Sequence, residues 1–450
     1  MTAPPVEVLP SGPQNAPQFK LAVPKPPAPV VTNTIIAINL AVYLAMCVSG
    51  VSWIEPSSID ALRWGADFGP LTLGGEWWRL VTSTFVHFGL LHIGFNMWCL
   101  YNLGRSLEFL MGRKAFAATY LASGVCGSVV SICWHPLDIG AGASGAIFGV
   151  AGTFAAYLFL KRVAISPQAM KRTRNSIGGF IVYNLAFGAV VGRIDNSAHL
   201  GGLIGGAILG AIVPPVYRFR VRDPLAAPIR LPPNQAEQEA HANRIAWGII
   251  FGSGIVLAAL AFAVKTARAP YAQYGEAVSL ITSGRTTQAV AVLRNSLSRG
   301  AKMPLTPLLL GEALLDQGNP KDAAAPLEAA LASDSTDMQS TQNLALAYLG
   351  AGNSEQALRE VAKVIASEKA APGWDAVFIR GLAEGENNDF TLAIPDLEAA
   401  RQANPSLAEA AIDFTRFQGL ANREPESQLP PLAIPYSKLV VKSDVWPIFP

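Results

Sequence analysis

The stretch GAGASGAIFG, residues 140–149, sets a single serine among glycines and alanines where an apolar run begins. Small residues let membrane helices approach closely, so Ser144 reads in one of two ways. It is a packing residue, or it is a nucleophile that needs a base nearby. The rest of the chain has to decide between them.

Of the 450 residues, 51% are hydrophobic and only 15% charged. An ordinary soluble domain carries about 25% charge, so this balance points to a membrane protein. The four cysteines, Cys47, Cys99, Cys126 and Cys133, lie in apolar runs without metal-ligand spacing. No disulfide framework is expected from them.

Spanning helices need about 20 mostly apolar residues. Candidate spans are 33–53, 79–101, 115–134, 143–160, 177–193, 197–213 and 245–264. The second carries His87, His92 and Asn96, and the fourth to sixth are short and rich in glycine. Such residues are sheltered by neighbouring helices rather than by lipid. Lysine and arginine fall in alternate loops: Lys20 and Lys25; Arg105, Arg113 and Lys114; Lys161, Arg162, Lys171, Arg172 and Arg174; and Arg218, Arg220, Arg222, Arg230 and Arg244. The opposite loops hold Arg63, Arg79 and Arg193. The bias predicts seven spans with a cytoplasmic N-terminus, and carries everything after residue 265 to the other side. Residues 1–32 read as a disordered cytoplasmic tail, and 216–244 as a cytoplasmic linker without an apolar period.

Beyond residue 270 the chain becomes helical, rich in alanine and leucine, and repetitive. SGRTTQA (283–289), QGNPKDA (317–323) and AGNSEQA (351–357) place Ala289, Ala323 and Ala357 at intervals of 34 residues. NNDFTLA (387–393) follows after an interval of 36. A 34-residue helix–turn–helix period is the tetratricopeptide signature. Residues 270–422 are therefore expected to form a solenoid, with Glu276 marking the first copy as irregular. Residues 423–450 are proline-rich and expected to be an irregular tail.

The chemistry rests on few residues. His241 lies in the polar linker and His135 before Pro136 in a short loop; neither is singled out. An ionisable residue inside a membrane span is a functional candidate by default. His199 sits in DNSAHLGGLIGG (195–206), where Gly202 and Gly206 share its helix face. If that face packs on the helix opening at Ser144, the imidazole can take the serine proton. Asp195 lies one turn earlier, toward the surface, so a two-residue dyad is the economical reading. HFGLLHIGFNMW (87–98) supplies His92 and Asn96, four apart on one helix face, as donors for an oxyanion. They read equally as a polar bridge between helices. His87 and His92 are five apart with no acid between them, which argues against a zinc site.

Together, GEWWRLVTSTFVHFGLLHIGFNM (75–97), GASGAIFG (142–149) and AHLGGLIGG (198–206) resemble the rhomboid family of intramembrane serine proteases, in order and spacing, over roughly residues 33–215. The resemblance implies a catalytic dyad of Ser144 and His199, with His92, Asn96 and the Ser144 backbone N–H forming the oxyanion hole. It implies supporting roles for Gly142, which opens the serine motif, and for Phe148, whose ring packs on the catalytic histidine. Trp78-Arg79 and Glu108 match structural positions of the family. The expected fold class is all-α: a polytopic bundle with a six-helix rhomboid-like core (33–215) and a seventh helix (245–264), then a soluble α-solenoid. The expected function is cleavage of transmembrane-helix substrates near the extracytoplasmic membrane face, with no metal or other cofactor. Expected partners are such substrates, the lipid bilayer and a peptide or protein ligand of the repeats, but no nucleic acid. A bacterial inner membrane is the expected location. A scaffold that holds transmembrane clients without cutting them is the competing reading. A transporter would need an internal symmetry that the membrane half lacks.

Overall fold

A computed structural model describes residues 28–160, 167–191, 194–213, 215, 235–300, 303–367 and 372–442. Residues 1–27 of the expected N-terminal tail and 216–234 of the linker lie outside the described residues, while Val30–Thr32, expected in the tail, already belong to the first helix. The membrane half opens with α1 (Val30–Val48). A long connection follows, built from α2 (Ser58–Arg63), β1 (Asp67–Phe68), α3 (Gly69–Gly74), α4 (Arg79–Thr82) and a 3-10 turn at Ser83–Phe85. Next come α5 (Leu90–Met111), α6 (Arg113–Trp134), β2 (Ile139–Gly140), α7 (Ser144–Phe159), α8 (Pro167–Val191) and α9 (Asn196–Ile212).

Six of the seven candidate spans coincide with helices to within a few residues at one end or both. The second does not. Arg79–Phe85 and α5 are bent by 94° against each other, and α5 starts eleven residues after the expected start and ends at Met111. The reason is Arg79, which is 1% exposed and anchors the connection. Its guanidinium donates to the Leu62 and Ala66 carbonyls at 2.7 and 2.8 Å and pairs with Glu76 at 2.6 Å. A buried charge is tolerable with such partners, and they hold residues 79–85 in the loop rather than in a span. By length and apolarity α1 and α6 can each cross a membrane, while α7 and α9 are shorter apolar helices.

The membrane half is assembled around α7. A Cβ at Gly202 would overlap the Gly145 carbonyl, and one at Gly206 the Gly149 carbonyl. The backbones of α9 and α7 thus touch along a glycine seam, the close approach that small residues permit in lipid. Thr153 Oγ1 bridges the seam, donating to the Gly149 and Gly206 carbonyls at 3.0 and 2.8 Å. At the start of this seam, Gly127 of α6 also faces the Ala198 carbonyl, beside Gly145. Glu108 of α5 accepts from the Val31 and Thr32 amides and the Thr32 hydroxyl at 3.0, 2.8 and 2.7 Å. It satisfies amides that the first turn of α1 leaves without helical partners.

The seventh helix, α10 (Gln235–Ala267), starts ten residues before the expected span, so residues 235–244 are helical rather than linker. It packs on α6 through Val264, near Val129 and Ile132. A 91° bend leads into α11 (Ala269–Thr282), which pairs with α12 (Thr286–Ser298). Three further pairs follow: α13 (Thr306–Asp316) with α14 (Pro320–Ser333), α15 (Met338–Gly350) with α16 (Ser354–Ser367), and α17 (Trp374–Glu386) with α18 (Phe390–Ala403). A single helix, α19 (Ala408–Ala421), closes the array. Ala289, Ala323, Ala357 and Ala393 are all fully buried, where the paired helices touch. The turns repeat as well. Gly284, Gly318 and Gly352 have φ of +73°, +71° and +82°, a left-handed conformation that favours glycine. Asn388, with φ +63°, fills that role in the fourth copy.

The first copy departs from the pattern for a physical reason. Its α11 lies against α3, where a Cβ at Gly275 would overlap the Pro70 carbonyl and one at Gly74 would come within 2.7 Å of Gly275. Glu276 is exposed beside this contact. Tyr274, Ala277 and Val278 share one continuous apolar core with Leu62, Phe68 and Leu71 of the connection. At the far end, the proline-rich segment turns back over the repeats and includes α20 (Tyr436–Leu439).

Candidate active site

Ser144 is the first residue of α7 and is half-buried. Gly142, just before it, has φ +128°, and a side chain there would come within 2.8 Å of His92 Nε2 and 3.6 Å of Asn96 Nδ2. Only glycine accepts both the backbone angle and the neighbour. The Gly142 amide is fixed by the Ser83 carbonyl at 2.9 Å, and the Ala143 amide faces His87 Nε2 at 3.4 Å. The Phe88 amide meets His92 Nδ1 at 3.3 Å, leaving Nε2 turned toward Gly142. The Asn96 amide nitrogen is buried and, among the described residues, has no hydrogen-bond partner. A donor that is buried and unused costs about 1–3 kcal/mol, and this one lies near Gly142, two residues before the serine.

His199 lies in the first turn of α9 and is 5% exposed. Phe148, one turn after Ser144, stacks on its ring with centroids 4.2 Å apart and planes 11° apart. Phe180 of α8 also meets Phe148, with centroids 5.5 Å apart and planes tilted by 42°. Gly145, next to Ser144, faces the Ala198 carbonyl, next to His199. The first turns of α7 and α9 thus face each other, with His92 and Asn96 against the approach to α7. Among the described residues no hydrogen bond joins Ser144 to His199, and His199 Nδ1 has no partner. Catalytic hydrogen bonds are commonly long in unliganded sites and tighten on substrate.

Sequence reasoning assigned no role to three supports. Asp195 caps α9, accepting from the Ala198 amide at 2.9 Å, from the Ser131 hydroxyl at 2.5 Å and from Ser197. Its place before a helix was a legible N-cap signal. The antiparallel pair of Asp67 with Gly140 and Phe68 with Ile139 ties the connection to the segment leading to Ser144. Two-residue strands leave no periodic signal. Asp67 is buried, accepts from the Thr72 hydroxyl at 2.5 Å, and is pushed up to about 7 by burial. Nearby Asp195 adds to the rise, and Thr72 and Arg79 oppose it. The third support is His87, fully buried behind the serine turn.

A Rhomboid domain model matches residues 74–215, and a tetratricopeptide repeat model matches 274–338 and 343–411. The rhomboid protease GluP of Bacillus subtilis is 37% identical over 185 residues, covering 41% of this chain and 34% of that protein. Rhomboid-like protease 3 of Toxoplasma gondii is 31% identical over 174 residues, covering 38% and 64%. The rhomboid protease AarA of Providencia stuartii is 30% identical over 209 residues, covering 41% and 72%. The chain therefore spans about a third of the length of GluP and nearly three quarters of AarA. With the glycine seam, the apolar helices and the ordered motifs in one place, the chain belongs to the rhomboid family and joins its membrane domain to a tetratricopeptide-repeat region.

Proposed function

We propose that the protein is an intramembrane serine endopeptidase that cleaves transmembrane-helix substrates through a dyad of Ser144 and His199. The observation that carries this reading is the stacking of Phe148 on His199 one turn from Ser144, across helices whose backbones touch. His199 takes the Ser144 proton as Oγ attacks the scissile carbonyl. Asn96, His92 and the Ser144 backbone N–H donate to the oxyanion, and the unused Asn96 amide is poised for it. His199 then gives its proton to the leaving amine as the C–N bond breaks, and water hydrolyses the acyl-enzyme.

A depth argument supports a site below the membrane surface. The 16 residues of α7 extend about 24 Å at 1.5 Å each, short of the roughly 30 Å hydrocarbon core. A helix that short leaves its first residue recessed, in a pocket that must be wet to supply water. The loop charges favour the extracytoplasmic face for this end, with the N-terminus cytoplasmic and the repeats outside. A bacterial inner membrane fits that arrangement. The repeats serve as a protein-interaction module.

Cleavage of a model transmembrane substrate tests the proposal. Ser144→Ala and His199→Ala should each abolish it and remove labelling by a fluorophosphonate. Cleavage by Ser144→Ala at the wild-type rate would overturn the Ser144 nucleophile, and no cleavage by the unaltered chain would leave a scaffold that holds clients without cutting them. Removing residues 301–450, which keeps α11 on α3, should slow cleavage of physiological substrates more than of a short model helix if the repeats recruit.

A further inference from the structure

The first helices of two repeat pairs and the closing helix α19 carry an unusual set of buried polar residues. Glu312 of α13, Asn343 of α15 and Asp413 of α19 are all without exposed surface. Solenoid helices normally turn apolar faces inward and leave such groups in water. Here they are covered because the segment after α19 folds back over them. Asn343 holds Val441 by both of its backbone groups: Asn343 Nδ2 donates to the carbonyl at 2.8 Å, and Oδ1 accepts from the amide at 2.9 Å. Gln339, one turn away, donates to the same carbonyl at 3.1 Å and to Glu312 at 3.0 Å. Nearer α19, Arg416 donates to the Pro430 carbonyl at 2.9 Å, and Asp413 accepts from the Ala433 amide at 2.8 Å.

The contacts of the side chains follow a plan. Residues 438–442 read Lys-Leu-Val-Val-Lys. Lys438 pairs with Glu409 at 2.7 Å and Lys442 with Asp316 at 3.1 Å. Between them Leu439 and Val440 are buried in the repeat core. Main-chain capture supplies affinity without reading sequence, and pockets plus end charges supply selectivity, which is the logic of a peptide site. A permanent cap has no need of a polar floor, because apolar residues would seal it more cheaply than Asn343, Gln339 and Asp413. A polar floor can stand in water when its cover leaves.

We propose that this face is a peptide-binding groove, that residues 430–442 are its built-in ligand, and that a partner must displace them. The partner is a protein segment with three aliphatic residues between two lysines, lying with its backbone along α15. The proposal deepens the reading of the repeats as an interaction module and rests on it, but not on the protease chemistry. A tethered ligand acts at an effective concentration in the millimolar range, so a segment with an intrinsic Kd of about 10 μM masks the groove about 100-fold against a free competitor.

A fluorescein-labelled peptide of residues 429–442 is the probe, read by anisotropy on the detergent-solubilised chain. The chain ending at residue 424 should bind it, and the full chain should bind at least about 100-fold more weakly. Asn343→Leu in the shortened chain should weaken binding at least tenfold. Full-length Val441→Pro removes the amide that Asn343 holds and should open the groove without removing any of the tail, so it serves even if the shortened chain misfolds. No binding by Val441→Pro, or equal binding with and without Asn343, overturns the proposal. If the peptide stays unbound while cleavage still depends on the repeats, the built-in ligand fails and the interaction module stands.

Discussion

The two halves of the chain join helices in opposite ways. In the membrane half, α7 and α9 meet backbone to backbone, with Gly202 and Gly206 against the Gly145 and Gly149 carbonyls. In the repeats, α13 and α14 meet through side chains, with Leu327 filling the space above Gly311 and Ala323 buried beside it. Lipid offers no hydrophobic drive between helices, so proximity itself must supply the attraction. Water does supply that drive, so the repeats can rely on volume and tolerate looser geometry. The contrast predicts that the two halves fail differently when altered.

The largest effect is expected at the seam. Gly202→Val meets a carbonyl oxygen that cannot move, so it must push α9 away and carry His199 with it. A shift of about 1 Å at a reacting group can cost about 100-fold in rate, and cleavage should fall by at least that much. Near-normal cleavage by this variant at equal protein level would break the comparison. Next comes Leu327→Ala, which empties a fully buried site. It should cost about 2–5 kcal/mol in the repeats, read as a lower melting transition, while cleavage of a short model helix is unchanged.

A smaller effect should appear with pH. Asp413 is pushed up to about 7 by burial, with Glu409 and Glu386 adding to the rise and the Ala433 amide and Arg416 opposing it. Its pKa is higher folded than unfolded, where it is about 4. The folded state therefore gains stability that is complete below about pH 4 and is lost as pH rises through about 7. Glu384, also pushed up to about 7 by burial, acts in the same sense. The repeat transition should fall in temperature between pH 5 and 8, and Asp413→Asn should flatten that slope. The smallest effect belongs to the exposed Arg294–Asp322 pair at 2.6 Å. Arg294→Ala should change stability by less than about 1 kcal/mol, which a urea titration would resolve from the Leu327 effect.

What could be read in advance follows the same division. The 34-residue alanines fell where paired helices touch, because a period of that length has few other physical sources. The glycines after His199 announced a close helix contact, and the structure puts α7 against them. The start of α5 was misplaced because hydropathy does not distinguish burial in protein from burial in lipid. Leu80 and Phe85 are apolar, yet Arg79 holds their segment in the loop. The contact between α11 and α3 joins residues about 200 positions apart, and no local pattern encodes such a meeting. Among the described residues the expected irregular tail is irregular between short helical turns, but its seat on Asn343 depends on the folded repeats existing first.

The meeting of Gly275 with Pro70 and Gly74 bears on where this chain can be cut. Composition suggests a border near residue 268, where apolar sequence gives way to repeats. A fragment ended there would strip the cover from Leu71 and Phe68 and expose them to solvent, and a repeat fragment begun there would bare Tyr274 and Val278. The natural severing point is beyond α11, so the first repeat helix is by packing a wall of the membrane unit and only by sequence a member of the array.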